Sequence, residues 1–180
     1  GLQVELLSHG ALRRLMAGPG LMINLFPGNE LEGGPANVWL RRRAPGTDWQ
    51  AVPLLGPQSP LAVHAEPGSF EMRGTWAGLA LRLQLRLAAE APVLFWHLEA
   101  VNDSGAACEL SPVLVQDVGL ADYGAVRTNE FYVSHYLDLQ PLPHDLHGVL
   151  LAVRQNQPQR GQHPWLLAGS LSRADAYATD

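Results

Sequence analysis

Side chains that could bind a sugar are concentrated in one segment, residues 116–138. Hydrogen-bonding groups beside flat rings suit a pyranose, which offers hydroxyls at its rim and an apolar face to an aromatic ring. The alternative is that these rings fill the core of the domain, where aromatic side chains commonly pack. The polar candidates are Gln116, Asp117, Asp122, Arg127, Asn129, Glu130 and Asp138, and the aromatic ones are Tyr123, Phe131, Tyr132 and Tyr136, with Trp39 upstream.

Four carboxylates lie close together in this segment, and glycosidases use two carboxylates at a set separation. Closeness in sequence fixes no distance in space, so we interpret the four as solvated or capping groups. The sequence contains no Gly-x-Ser-x-Gly motif, phosphate-binding loop or dinucleotide glycine pattern. It therefore predicts no catalytic residue in this chain.

A metal site is the other chemistry that residue spacing suggests. His144 and His147 form a His-x-x-His pair, and imidazole is a common zinc ligand. No convincing third ligand lies nearby in sequence, and Pro141 and Pro143 indicate a turn. We interpret the pair as exposed turn histidines and predict neither a metal nor a cofactor. The single cysteine, Cys108, is expected to be an inert core thiol.

Composition narrows the class of protein. The 180 residues suit one domain, and 47% apolar with 16% charged residues indicate a globular chain. A net charge of −5 argues against nucleic acid as a partner, because phosphates need a basic surface. No apolar run reaches the ~20 residues of a membrane helix, so the cytoplasm is the expected compartment. Because the chain starts at Gly1 rather than Met, we expect a fragment of a longer protein.

The elements that must position these side chains have the pattern of strands. In Leu79–Leu87 five leucines alternate with Arg82, Gln84 and Arg86, which is the pattern of a strand with one buried face. Roughly ten strands with almost no amphipathic helix predict an all-β fold, an antiparallel β-sandwich in which residues 116–138 form a loop. Further strands are expected at residues 3–8, 21–26, 37–43, 48–55, 61–65, 69–76, 93–101, 107–118, 148–155 and 165–171, and residues 11–17 suit a strand or a short helix.

Turn residues predict how some of these strands connect. Residues 44–47 are expected to join strands 37–43 and 48–55 as a hairpin. Residues 102–105, with the sequence Asn-Asp-Ser-Gly, are expected to do the same for strands 93–101 and 107–118. Pro67 and Gly68 separate two further strands.

Arg41, Arg42 and Arg43 form a cluster at the end of one strand. We interpret it as the solvated edge of a sheet, where charges discourage the addition of another strand. The alternative is that the cluster docks on an acidic surface of a neighbouring domain.

Residues 116–122, 124–134 and 136–138 resemble the amino-terminal β-sandwich of glycoside hydrolase family 94, formerly glycosyltransferase family 36. The resemblance is strongest to the β-1,2-glucan branch, the oligoglucan phosphorylases and the phosphorylase-like region of cyclic glucan synthases. It extends in order over nearly the whole chain. The other matching stretches are residues 22–24, 28–33, 37–41, 154–157, 163–165 and 169–171.

This resemblance implies a galactose-mutarotase-like super-sandwich, truncated here, that packs on an (α/α)6 catalytic barrel absent from this chain. The parent enzyme would use inorganic phosphate as co-substrate in an inverting phosphorolysis of a β-glucan oligosaccharide, and this fragment would be catalytically silent. A role in shaping the glucan subsites is implied for Arg127, Asn129, Glu130 and Tyr132, with support from Gln116, Asp117 and Asp122.

Several alternatives stay open at this point. The parent could act on cellobiose or chitobiose, or the domain could be purely structural or a free-standing carbohydrate-binding module. A homodimer and a membrane-associated parent, as in the synthases, are also compatible with the sequence.

Overall fold

The computed structural model describes residues 1–66 and 68–179, so that Pro67 of the predicted Pro67–Gly68 turn lies outside the described residues. The strands pair antiparallel, which confirms the predicted all-β fold, and the segment predicted as a strand or a short helix forms strand β2 from Leu12 to Ala17. Two short helices complete the described elements. The elements are β1 (Leu2–Leu6), β2 (Leu12–Ala17), β3 (Leu21–Met22), β4 (Asn37–Arg43), β5 (Gln50–Pro53), β6 (Leu61–Glu66), β7 (Ser69–Trp76), β8 (Leu79–Leu87), β9 (Leu94–Asn102), β10 (Glu109–Val115), β11 (Ala121–Asp122), α1 (Tyr123–Thr128), α2 (Glu130–Ser134), β12 (Leu137–His144), β13 (Gly148–Gln155) and β14 (Trp165–Ala168).

The chain divides into two compact units. Unit 1 consists of Gly1–Gly18 and Phe26–Asp117, and unit 2 consists of Pro19–Leu25 and residues 118–179. Unit 1 contains the β1–β2 pair, a sheet of order β10-β4-β5 and a sheet of order β6-β7-β8-β9. Unit 2 contains the β3–β11 pair, a sheet of order β12-β13-β14 and both helices.

The core of unit 1 lies between its two larger sheets, which therefore form a β-sandwich. Leu79, Leu81 and Leu83 of β8 are 0–3% exposed and belong to the same core cluster as Leu40 of β4. This is the buried face that alternation predicts, and each buried leucine stabilises the fold by about 1.5–3 kcal/mol. The buried face does not extend to the end of β8, because Leu87 is 47% exposed.

A buried carboxylate lies on the opposite face of the β6–β9 sheet. Glu71 is 6% exposed and accepts hydrogen bonds from Arg82 and Gln84, both at 2.7 Å, and from Arg73. Burial alone would raise the pKa of Glu71, but these hydrogen bonds and the charge of Arg73 outweigh it and lower the pKa from 4.5 to about 2. Glu71 is therefore held ionised by side chains of two neighbouring strands, β7 and β8.

The predicted hairpin at residues 102–105 is wrong. β9 pairs with β8, whereas β10 crosses to the other sheet of the sandwich and pairs with β4. The Asn102 side chain organises the crossing, since it accepts from the backbone and hydroxyl of Ser104 and donates to the carbonyl of Ala106 at 2.8 Å. A turn sequence predicts that the chain reverses direction, but it does not determine which strand the next strand pairs with.

The hairpin predicted at residues 44–47 is confirmed, because β4 pairs with β5.

The interpretation of the arginine cluster as a sheet edge is also wrong. β4 is the middle strand of its sheet, between β10 and β5. Arg41 and Arg43 lie on one face, as alternation predicts, and their guanidinium carbons lie 4.6 and 4.8 Å from the ring centroid of Trp49. The indole and Glu109, which pairs with Arg43 at 2.6 Å, accommodate these charges on a central strand.

Pro141 and Pro143 do not mark a turn. Both lie within β12, opposite Leu151 and Val149 of β13. β12 is an edge strand, and proline, which lacks an N–H group, is tolerated at a sheet edge. The turn comes later, between His144 and Gly148.

Candidate functional site

The segment predicted as a loop contains a short strand and two short helices instead. β11 leads directly into α1, and α2 follows after the single residue Asn129. Val126 of α1 and Val133 of α2 are 2% and 1% exposed, so each helix is anchored by one buried valine. A membrane-spanning helix needs a long apolar stretch, and none of the helices in the described part of the chain has one.

Asn129 separates the two helices and begins the second one. Its extended backbone, with φ −160° and ψ 87°, interrupts the helical path, and its N–H still donates to the carbonyl of Ala125. The side-chain oxygen of Asn129 accepts from the N–H of Tyr132 at 3.0 Å, which is the N-cap bond that asparagine favours. Glu130 occupies the first turn of α2, where a negative charge is favourable.

The buried side chain of Gln155 forms hydrogen bonds to the backbone of this segment, a role that the sequence analysis did not predict. Its side chain is fully buried and its amide nitrogen donates to the carbonyls of Gly119 at 3.0 Å and Val133 at 3.2 Å. The amide oxygen accepts from the N–H of Gln157 at 2.9 Å. The available signal was a glutamine that follows the apolar run 149–153 in the same strand, because a buried amide must find hydrogen-bond partners.

Two aromatic side chains of α2 face solvent. Phe131 and Tyr132 are 69% and 48% exposed, so these rings do not fill a core. The Tyr132 and Tyr136 rings pack edge to face with centroids 5.1 Å apart, and the Tyr136 hydroxyl donates to that of Tyr132 at 3.0 Å. This hydrogen bond raises the pKa of Tyr136, because the neutral phenol is the form that donates.

Arg127 lies in the last turn of α1 and is exposed. Its guanidinium makes no hydrogen bond or ion pair with any residue that the structure describes, so its donors are available to a ligand. We refer to Arg127, Phe131, Tyr132 and Tyr136 as the helical surface. The half-buried Tyr123 and Trp39 are not part of it.

Asp122 ties the start of this segment to the loop between β13 and β14. Its carboxylate pairs with Arg160 at 2.9 Å, and its backbone N–H donates to the side chain of Gln159 at 2.8 Å. Asp122 stands at the N-cap position of α1 but makes no side-chain capping bond. Its carboxylate serves the ion pair instead.

Gln116 and Asp117 lie in unit 1, whereas the other five predicted residues lie in unit 2. The carboxylate of Asp117 accepts from the N–H of Phe26 at 2.6 Å. The Gln116 amide donates to the backbone carbonyl of Asp117 at 2.8 Å. The Gln116 side chain therefore supports the backbone of its own loop, whereas the Asp117 side chain fixes the backbone at Phe26, which is distant in sequence.

The histidine pair closes a turn. The rings of His144 and His147 stack with centroids 4.7 Å apart, and Nδ1 of His144 accepts from the N–H groups of Leu146 and His147 at 3.3 Å. Nδ1 of His147 lies 3.0 Å from the carbonyl of Leu171. Across residues 1–66 and 68–179, no group of three or more His, Cys, Asp or Glu side chains is placed to hold a metal ion.

Comparison with known proteins gives this geometry a context. The sequence matches the family described as "SOGP N-terminal domain" over residues 5–180. A protein named 1,2-beta-oligoglucan phosphorylase, from Listeria innocua serovar 6a (strain ATCC BAA-680 / CLIP 11262), is 29% identical over 160 residues. That alignment covers 89% of this chain and 14% of the relative, so the chain spans only a small part of the relative's length.

Proposed function

Because the chain belongs to the SOGP N-terminal domain family, we propose that it is the non-catalytic amino-terminal β-sandwich of a phosphorylase that acts on β-1,2-linked glucans. The family match carries the proposal, and the name of the Listeria relative supplies the substrate class. The parent enzyme would act in the cytoplasm on soluble glucan oligosaccharides.

The reaction proposed for the parent is a displacement at the anomeric carbon. An oxygen of inorganic phosphate forms the new bond to that carbon, the glycosidic C–O bond breaks, and the leaving oxygen takes a proton from a general acid. The products are glucose 1-phosphate and a glucan shortened by one unit. Phosphate takes the place of the activated water of an inverting hydrolase, so the enzyme needs one acidic group rather than two.

We place the general acid outside this chain, in the catalytic barrel. Three of the four carboxylates in the central segment already hold other groups of the chain. Asp117 accepts from a backbone N–H, Asp122 pairs with Arg160, and Asp138 accepts from Gln140 at 3.2 Å. Glu130 stands in the first turn of a helix, where it stabilises the helix N-terminus.

The helical surface is our candidate for the contact with glucan. Arg127 offers free donors for hydroxyl oxygens, and the exposed rings of Phe131 and Tyr132 offer flat surfaces for a pyranose. Asn129 acts as a positioning residue, because its N-cap bond fixes the start of the helix that carries both rings. Glu130 supplies an acceptor, and Asp122, Gln116 and Asp117 stabilise the adjoining backbone.

Unit 1 offers a surface for packing on the rest of the enzyme. Leu110 and Leu114 lie on the core-facing side of the edge strand β10, opposite Arg42 and Val38, yet they are 38% and 50% exposed. Apolar side chains exposed in a row are typical of a surface that another part of the protein covers. We propose that the catalytic barrel covers it.

The direct test is an assay of the complete protein that contains this chain. We expect glucose 1-phosphate from inorganic phosphate and linear β-1,2-glucooligosaccharides, and none from cello-oligosaccharides. Product from the cello-oligosaccharides alone would favour the cellobiose-type alternative. If neither series gives product, the substrate assignment is wrong.

A variant of Arg127 separates a binding role from a structural one. Arg127→Ala in the complete protein is expected to raise KM for the glucan, or to lower kcat, with an unchanged melting temperature. Arg173→Ala is the matched control, because Arg173 is exposed and donates only to a backbone carbonyl. Kinetics equal to those of the wild type would remove Arg127 from the glucan site.

A further inference from the structure

An exposed tryptophan lies on one face of the sheet in unit 2. Trp165 of β14 is 57% exposed, although tryptophan is usually well buried. Its cross-strand partner is Arg154 of β13, whose own partner on β12 is Asp138. Residues that oppose each other in antiparallel strands point to the same face. The three side chains therefore form one row across the whole sheet.

Arg154 is held in place by the ring and not by an acid. Its guanidinium carbon lies 5.5 Å from the centroid of the Trp165 ring. Within the described residues Arg154 makes no side-chain hydrogen bond or ion pair, and its Nε is shielded from solvent with no partner. The shielded Nε is out of a ligand's reach, but the two terminal amino groups of this guanidinium can donate to hydrogen-bond acceptors of a ligand.

The next row of the same face adds an amide and a shallow floor. Gln140, Ala152 and Leu167 oppose one another there. Ala152 is 5% exposed and Leu167 is 59% exposed, so a small buried residue lies beside a protruding apolar one. Gln140 donates to Asp138 at 3.2 Å, which leaves the amide oxygen of Gln140 free to accept.

We propose that this face, formed by Trp165, Arg154, Asp138 and Gln140, is a further glucan-binding platform in which a pyranose ring stacks on the Trp165 indole. The identity of the sugar rests on the proposed function. The face offers an aromatic plane, guanidinium donors and carboxylate and amide acceptors, which are the groups that a pyranose and its hydroxyls need. Three strands span about 10 Å, which accommodates one ring with part of its neighbour.

Charge favours a neutral ligand at this platform. Arg154 and Asp138 stand in the same row with opposite charges, so the row has no net charge. An anion such as phosphate would be repelled by Asp138, and a cation by Arg154. A glucan carries no charge and can use both groups as hydrogen-bond partners.

The test uses the complete protein and two kinds of glucan. Affinity electrophoresis through a gel that contains long linear β-1,2-glucan reports binding, and phosphorolysis of long and short glucans reports catalysis. Trp165→Ala is expected to weaken retention and to raise KM for the long glucan by roughly fivefold to tenfold. The short substrate should be unaffected, because a platform adds affinity only when the same molecule also reaches the catalytic site.

Two variants serve as controls. Trp165→Tyr keeps an aromatic plane and should retain most of the binding. Trp49→Ala removes another exposed indole, 36% exposed and stacked with Arg41 and Arg43, and should leave retention unchanged.

Each remaining outcome overturns the proposal in a distinguishable way. If Trp165→Ala is retained as strongly as the wild type while phosphorolysis persists, the platform is wrong and the proposed function stands. If the wild type neither releases glucose 1-phosphate nor is retarded, the proposed function fails and the platform with it. If Trp165→Ala and Trp165→Tyr both lower the melting temperature and lose activity on short and long substrates alike, Trp165 packs against another part of the protein instead.

Discussion

Replacing Gln155 tests the claim that one buried amide holds the helices and the adjoining loop together. Gln155→Met keeps the length of the side chain but removes every hydrogen bond. The carbonyl of Gly119 then loses its donor, and the N–H of Gln157 loses its acceptor. The carbonyl of Val133 loses less, because it also accepts from the N–H groups of His135 and Tyr136. At about 1–3 kcal/mol for each of these two groups left without a partner, we expect a loss of about 2–6 kcal/mol.

The measurement is urea or thermal denaturation followed by circular dichroism. For a chain of this size the loss corresponds to a melting temperature lower by roughly 5–15 °C. Gln162→Met is the matched control, because the Gln162 side chain is exposed, and it should change stability by less than about 0.5 kcal/mol. A Gln155→Met protein as stable as this control would refute the reasoning.

A second substitution at the same position gives the result a pH dependence. Gln155→Glu places a carboxylate against two carbonyl oxygens, which raises the pKa of the introduced group because only the protonated acid can donate. The variant should therefore be least stable at neutral pH and recover stability as the pH falls through that raised pKa. Gln155→Met should show no such recovery.

Three further predictions concern stability. Asn129→Ala removes the N-cap of α2 and should cost about 1 kcal/mol in urea denaturation, whereas Asn129→Asp should retain most of the stability; equal losses would contradict the capping role. Leu83→Ala creates a cavity in the sandwich core of unit 1 and should cost about 2–5 kcal/mol, and a loss below about 1 kcal/mol would place Leu83 outside a tightly packed core. The pKa of Glu71 is lowered from 4.5 to about 2, so its charge contributes stability that is complete above pH 4.5 and is lost as the pH falls through 2. Glu71→Gln should therefore flatten the acid-unfolding curve in this window, whereas Glu90→Gln, in an exposed loop, should leave the curve as in the wild type.

Periodicity predicted the strands well where one face is buried. The alternation in Leu79–Leu87 identified β8, and its buried leucines lie where alternation places them. Periodicity does not predict which strands pair with each other. A turn sequence such as that at Asn102 indicates a change of direction, but it does not identify the partner strand. The position of Arg41 and Arg43 on a middle strand was missed for a related reason. The stacking on Trp49 that accommodates their charge depends on the register between β4 and β5.

For the central segment, residues 116–138, the sequence predicted the family but not the secondary structure. Its resemblance to the oligoglucan phosphorylase branch is confirmed by the family match, whereas its loop conformation is corrected to two helices. Helices of six and five residues bury one valine each and leave no periodic apolar stripe to detect. The row of Asp138, Arg154 and Trp165 was out of reach as well, because it exists only through the register of three strands. The glucan contacts of the seven predicted residues stay a prediction.

The two prolines of β12 also bear on how this protein behaves in concentrated solution. The outer backbone of an edge strand is a template on which a strand from another molecule can add, and such additions lead to fibres. A proline offers no N–H group to an incoming strand, and Pro141 and Pro143, which stand at alternate positions, remove two successive donors from that template. Replacing both with valine would leave the β12–β13 pairing in place and open this edge to self-association.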